Sequence, residues 1–306
     1  DGKYGYVCSS FNPETIVVSV ADHKIVGHVQ QVSPFCPNIA ASADGKQVWF
    51  TLKDVGKAQV FDARPPFKLI KTLDIGPIAN HVNLVNNANG SFAYITVGGL
   101  NEVQVYRTDT FEKVATIAVG NLPHGVWPSG DGSRVYVGLE NADAFAVIDT
   151  LSNKVIATIP IGQAPQAIAY VPNAVEKGPG TDNLKPLGVA GQAVHLSLNA
   201  VNKTADKAPT SVTLFNQGLT QVLQAAVTGL EPKQPYTLAL ADKADGSGTL
   251  EPLSAFMTNP AGSAIVNAIG PIRQIVQSDA QDQRRYLVVV AGKPDQLGTL
   301  VQVQGQ

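Results

Sequence analysis

The sequence has 306 residues, 44% hydrophobic and only 15% charged, with 28 Gly, 20 Pro and a formal net charge of −2. That length suits one large domain or two ordinary ones, and so many turn formers with so few charges favour short strands joined by tight turns. The near-zero charge argues against nucleic acid or an anionic membrane as partner, no apolar run approaches the roughly 18 residues of a membrane span, and two Cys exclude a disulfide-dense scaffold or a four-cysteine zinc site. The sequence begins at Asp1 without Met or a signal peptide, so a processed or partial chain is expected.

In chain order, four segments share a turn followed by an alternating strand: Tyr4-Gly5-Tyr6-Val7 after Gly2, Val48-Trp49-Phe50 after Gly45, Phe92-Ala93-Tyr94-Ile95 after Gly90, and Val135-Tyr136-Val137 after Gly132. The turn glycines stand 43, 45 and 42 residues apart. Asp-Gly and Asn-Gly readily take positive φ in a two-residue hairpin, so each glycine is read as a hairpin turn. A second and a third apolar run follow each turn, as in Phe145–Asp149 and Val155–Ile161, and a Pro-containing loop leads into the next unit. Four short strands per roughly 43 residues is the signature of a β-propeller blade.

The succession Val-Tyr-Val, Phe-Ala-Val-Ile-Asp, Lys-Val-Ile-Ala-Thr-Ile resembles the YVTN-type repeat of bacterial periplasmic and surface propellers, over residues 1–172. The resemblance implies a propeller in an exported bacterial protein, periplasmic or at the cell surface. It implies little about activity, because the family is functionally diverse. With strands labelled A to D from the channel outward, residues 1–30 supply only B, C and D. Three full blades follow, and Pro165–Val171 reads as one more A strand. That strand could pair beside Tyr4–Val7 and close a four-bladed ring; alternatively, further blades lie upstream of Asp1.

The repeats stop after Pro172, and residues 173–186, with Gly178-Pro179-Gly180, read as a linker. Residues 187–306 carry seven strand-like runs, among them Ser211–Phe215, Tyr236–Ala241 and Tyr286–Ala291, which read as an antiparallel β-sandwich. Ile272–Gln283 is the one helix considered. The fold class is therefore all-β, a propeller followed by a sandwich.

No phosphate-binding loop, nucleophile elbow, zinc-protease motif or haem-attachment motif is present. The chemistry is positional. In the loop leading into each A strand, the residue after Pro or its equivalent is Asn38, His81, His124 and Gln166. Propeller A strands line the channel, so these four polar side chains should ring one mouth. Two imidazoles could also hold a divalent metal or transfer protons, although two His without a third ligand make a poor zinc site. Strand B ends on the face where strand A begins, so Cys8 and Cys36 should approach the same rim. A disulfide there would close a loop of about 27 residues and contribute roughly 3 kcal/mol; free thiols and a soft-metal site with His81 are the alternatives. His23, His28 and His195 read as structural or exposed.

These features favour a non-catalytic binding or scaffold protein that docks a partner protein or an extended ligand, with no cofactor required. A lactonase-like hydrolase acting at the channel mouth is one alternative. A subunit of a surface layer or filament, self-associating as a homo-oligomer, is another.

Overall fold

The computed structural model describes residues 1–175, 177, 192–202, 209–217, 220–280 and 282–305. The chain divides into two units, Asp1–Gly191 and Gln192–Gln306. Most of the expected linker, and Lys203 to Lys207 with Ala208, lie outside the described residues.

The first unit contains four antiparallel sheets, each a meander in chain order. The first has three strands, β1 (Tyr4–Val7), β2 (Glu14–Ser19) and β3 (Lys24–Gln30). The second has β4 (Asn38–Ala41), β5 (Gln47–Leu52), β6 (Lys57–Asp62) and β7 (Leu69–Asp74). The third has β8 (Ala79–Asn87), β9 (Gly90–Val97), β10 (Glu102–Arg107) and β11 (Lys113–Ala118). The fourth has β12 (Pro123–Pro128), β13 (Arg134–Leu139), β14 (Ala144–Asp149) and β15 (Lys154–Pro160). The innermost strands pack side by side, β4 on β8 and β8 on β12. That is β-propeller blade packing, and the three-stranded first blade matches the reading of residues 1–30.

Blades bury both faces, which is why their middle strands are apolar without alternation. In β5 every residue from Val48 to Leu52 is buried. Val17 and Val29 of the first blade meet Val48, Phe50 and Phe61 of the second. Trp49 and Val60 then meet Val82 and Ile95 of the third. Tyr94 and Val105 meet Val137 and Ile148 of the fourth.

The repeat glycines do take positive φ, at 72°, 66°, 126° and 69° for Gly2, Gly45, Gly90 and Gly132. Two of the turns are longer than the expected two-residue hairpin, spanning Ser42–Lys46 and Ser129–Ser133. Their aspartates explain the extra length. Asp44 and Asp131 each accept a bond from the preceding serine hydroxyl, at 2.7 and 2.6 Å, and another from a backbone N–H two residues on. The side chain thus folds the loop around itself. These bonds hold both carboxyls down at about 2.

A second repeated device joins neighbouring blades. Thr51 Oγ1 donates to the carbonyl of Asn80 at 2.7 Å, and Thr96 Oγ1 donates to that of His124 at 2.6 Å. The third equivalent position is Gly138, where a Cβ would lie 2.9 Å from the Pro165 oxygen. The backbone at 165 therefore lies where the next innermost strand would run. Its approach also follows the repeat: Leu122 and Ala164 both have left-handed φ, 52° and 45°, and donate their N–H to Asn101 and Asp143 at 2.9 Å. Yet Pro165–Val171 forms no strand, which corrects the expectation of a fourth A strand. β1 pairs with β2 alone, and Pro165–Val171 adds no strand at its other edge. It packs on the fourth blade instead, with Tyr170 stacked on Tyr136 at 6.0 Å.

The second unit corrects the expected sandwich. Its eight strands are β16 (Val194–Ala200), β17 (Thr210–Gln217), β18 (Thr220–Val227), β19 (Pro235–Ala241), β20 (Leu250–Met257), β21 (Ala264–Ile269), β22 (Tyr286–Lys293) and β23 (Gln296–Gln304). They form one sheet in the order β20-β19-β22-β23-β16-β17-β18-β21, and the two end strands approach each other. The sheet is continuous because β23 pairs with both β22 and β16, joining what would have been two layers. Register shifts around Val290 bend it. Leu198, Leu214, Leu238 and Val289 fill the inside with Ile272 and Val276 of the short helix α1 (Ile272–Val276). The helix ends seven residues before the expected Gln283. Among the described residues no helix is long and apolar enough to cross a membrane.

Candidate functional site

Asn38 opens β4, and His81 and His124 lie near the starts of β8 and β12, so the repeat delivers all three to one end of the innermost strands. The fold gives them different work. Asn38 Oδ1 accepts the N–H of Val82 at 2.9 Å, which makes it a staple between blades two and three. The rings of His81 and His124 meet edge to face, with centroids 4.8 Å apart. His124 Nδ1 lies 3.0 Å from the carbonyl oxygen of Gln166. A carbonyl only accepts, so Nδ1 carries the hydrogen and the neutral ring keeps Nε2 as an acceptor. The Gln166 side chain donates to Glu140 Oε1 at 3.0 Å.

Two charged side chains join this group. Lys53 is half-buried, with its ammonium 5.9 Å from the centre of the Phe35 ring. Burial lowers it, and the charge of Glu140 partly restores it. Burial and then the Lys53 charge push His81 down to about 4. The same causes, followed by His81 itself, hold His124 well below the ordinary range. Both rings are therefore neutral at pH 7, beside one cation and one buried carboxylate, Glu140 at 6% exposure.

Reading the loops before strand A missed Lys53 and Glu140. Each directly follows the last residue of a B strand, Leu52 or Leu139, as Cys8 follows Val7. The signal was the rim itself: strand B ends where strand A begins, so positions after strand B face the same mouth.

Cys8 and Cys36 do share that rim, and the expected disulfide is not formed: both are free. The Cys8 thiol donates to the Cys36 carbonyl oxygen at 3.0 Å rather than meeting its sulfur at bonding distance. A hydrogen bond between the two thiols lowers Cys8 and, with burial, raises Cys36. Among the described residues no three His, Cys, Asp or Glu side chains converge on a metal-sized site, so the His81–His124 pair lacks a third ligand. Elsewhere, exposed His28 pairs with half-buried Glu14 at 2.7 Å, and His195 lies 3.3 Å from Thr213.

The opposite ends of β8 and β12 border a cavity of about 340 Å³ walled by Trp127, Pro128, Tyr170 and Pro172. Its Asn86 and Ser129 side chains are already engaged with Ser91 and Asp131, and its lining is about equally polar and apolar.

No family model matches the chain, and no curated protein matches it by sequence. Among solved structures it is similar to the Kuenenia stuttgartiensis hydrazine synthase, at 16% identity and a TM-score of 0.49, over 95% of this chain and 76% of that one. It is also similar to the Cps50 (Swd1) β-propeller domain of Myceliophteria thermophila, at 8% identity and 0.47, over 98% and 82%. Likenesses this distant carry no functional reading. The propeller assignment rests on the strand order and on the packing of β4, β8 and β12.

Proposed function

We propose that this chain is an exported, non-catalytic binding protein that seats a small ligand at the channel mouth beside Lys53, His81 and His124. The observation that carries the reading is the edge-to-face imidazole pair kept neutral beside a half-buried ammonium. Convergent polar groups in one concavity are what a small-molecule site needs. Lys53 supplies a cation for an anionic group, and Nε2 of His124 accepts from a hydroxyl or amine donor. A small hydroxy- or amino-carboxylate meets both requirements. Export is supported by the resemblance of the repeats to exported propellers.

Calorimetric titration of the full chain with a panel of small hydroxy- and amino-carboxylates tests the proposal. At least one should bind, and Lys53→Met or His124→Ala should weaken it tenfold or more while leaving the fold intact. Equal binding by these variants overturns the seat. Turnover of a lactone by the wild type replaces binding with hydrolysis. Unimpaired capture of a protein partner by the Lys53→Met variant moves the function away from the mouth.

A further inference from the structure

We propose that Cys8 and Cys36, with Gln31 beside them, bind one soft monovalent cation of the copper(I) class between two thiolates. The site lies between the first and second blades and does not depend on the histidine pair.

Three observations converge there. Both sulfurs are unbonded on one rim, with Cys8 Sγ 3.0 Å from the Cys36 carbonyl oxygen and Cys36 Sγ 3.7 Å from that of Asn38. Gln31 is only 7% exposed, yet neither its amide nitrogen nor its amide oxygen has a hydrogen-bond partner. That amide lies beside Cys36. Thr15 is fully buried, its hydroxyl also lacks a partner, and it shares a face of the first blade with Val29 and Gln31.

Unsatisfied buried polar groups are rare, and a cluster of them points to an ion or an unrecorded polar ligand. Soft thiolates select soft ions, whereas a zinc-type site needs four ligands that this rim does not supply. Two thiolates around one monovalent cation leave a single negative charge, and buried N–H and O–H donors are what stabilise such a charge. The step balances without redox: each thiol releases its proton to solvent and two sulfur–metal bonds form. Cys8 is half-buried and Cys36 buried, so the ion reaches Cys8 first.

The test uses the full chain, reduced and then freed of reductant. Thiol titration in denaturant should find two thiols per chain. Silver(I), a redox-inert stand-in, should bind one per chain and block both thiols towards a chromogenic disulfide. Copper(I) should be drawn from a bicinchoninate complex with the same stoichiometry. Cys8→Ser should abolish both, and because Cys8 is half-buried that variant keeps its fold even if Cys36→Ser does not. Gln31→Leu should weaken silver binding tenfold or more. An isolated chain with no free thiol, or a Cys8→Ser variant that binds silver as tightly as wild type, overturns the site. Wild-type affinity in Gln31→Leu removes Gln31 from it.

Discussion

Thr96 donates its hydroxyl hydrogen to the carbonyl oxygen of His124 at 2.6 Å, so a middle strand of blade three fixes a site residue of blade four. The same hydroxyl accepts the N–H of His81 at 2.9 Å. One side chain therefore sets the backbone of both imidazoles. Thr96→Val keeps the shape and leaves that N–H and that carbonyl without a partner, at a cost of about 1–3 kcal/mol. Denaturant unfolding should show that loss, with Thr96→Ser close to wild type. Ligand binding at the mouth should weaken in the valine variant even under conditions where it is fully folded.

Acid should weaken the propeller through the histidines. His81 is about 4 in the folded chain and 6.5 when unperturbed, so between those values the unfolded state binds the proton more readily. Above pH 6.5 the ring is neutral in both states and adds no slope. As pH falls from 6.5 through 4, stability should drop by about 3 kcal/mol from this ring, and His124 acts in the same direction. The His81→Gln variant should show a flatter dependence of the urea midpoint over that window. A ring proton whose chemical shift titrates with a midpoint near 6.5 would refute the assignment.

The blades were legible in the sequence because a glycine turn and three apolar runs recur, and recurrence survives errors in any one strand. The site was half legible. Asn38, His81, His124 and Gln166 share a position in the repeat, and polar side chains recur there. Lys53 and Glu140 share a different one, after strand B, where Cys8 and Gly98 also stand. Four such unlike residues show no common chemistry when read along the chain. Only the meeting of neighbouring blades makes Lys53 and Glu140 neighbours of the imidazoles.

The C-terminal sheet was misread for a related reason. Strand β23 is rich in glutamine and carries Gly298, so it lacks a clear alternation, yet it holds the sheet together. Gln302 is 3% exposed; its Nε2 donates to the Thr228 carbonyl at 2.8 Å and its Oε1 accepts from Thr210 at 2.7 Å. Gln302→Leu should cost about 2–4 kcal/mol, because two buried partners lose their bonds together. Thermal unfolding of this unit should fall accordingly. A change within about 0.5 kcal/mol would mean these groups find other partners, as an ordinary surface substitution does.

Two of the repeat glycines separate the turn from the packing it serves. Gly2 and Gly132 have nearly the same φ, 72° and 69°, so alanine meets the same left-handed penalty at both, about 1–2 kcal/mol. Their surroundings differ. A Cβ on Gly2 would have nothing within 4 Å, whereas one on Gly132 would lie 2.1 Å from the backbone oxygen of Asn86. A carbonyl in the neighbouring blade cannot swing aside like a side-chain tip, so the fourth blade must shift against the third. Gly2→Ala should therefore cost only the conformational penalty. Gly132→Ala should cost about 2 kcal/mol more, in the range of overpacking a close-packed interior. The paired measurement is the urea midpoint of the two variants on the same chain. Equal losses would show that the recurring spacing of these glycines reflects hairpin geometry alone. A larger loss at Gly132 would show that the turn also sets how closely two blades approach, and with it the cavity beside Trp127 that the same turn borders.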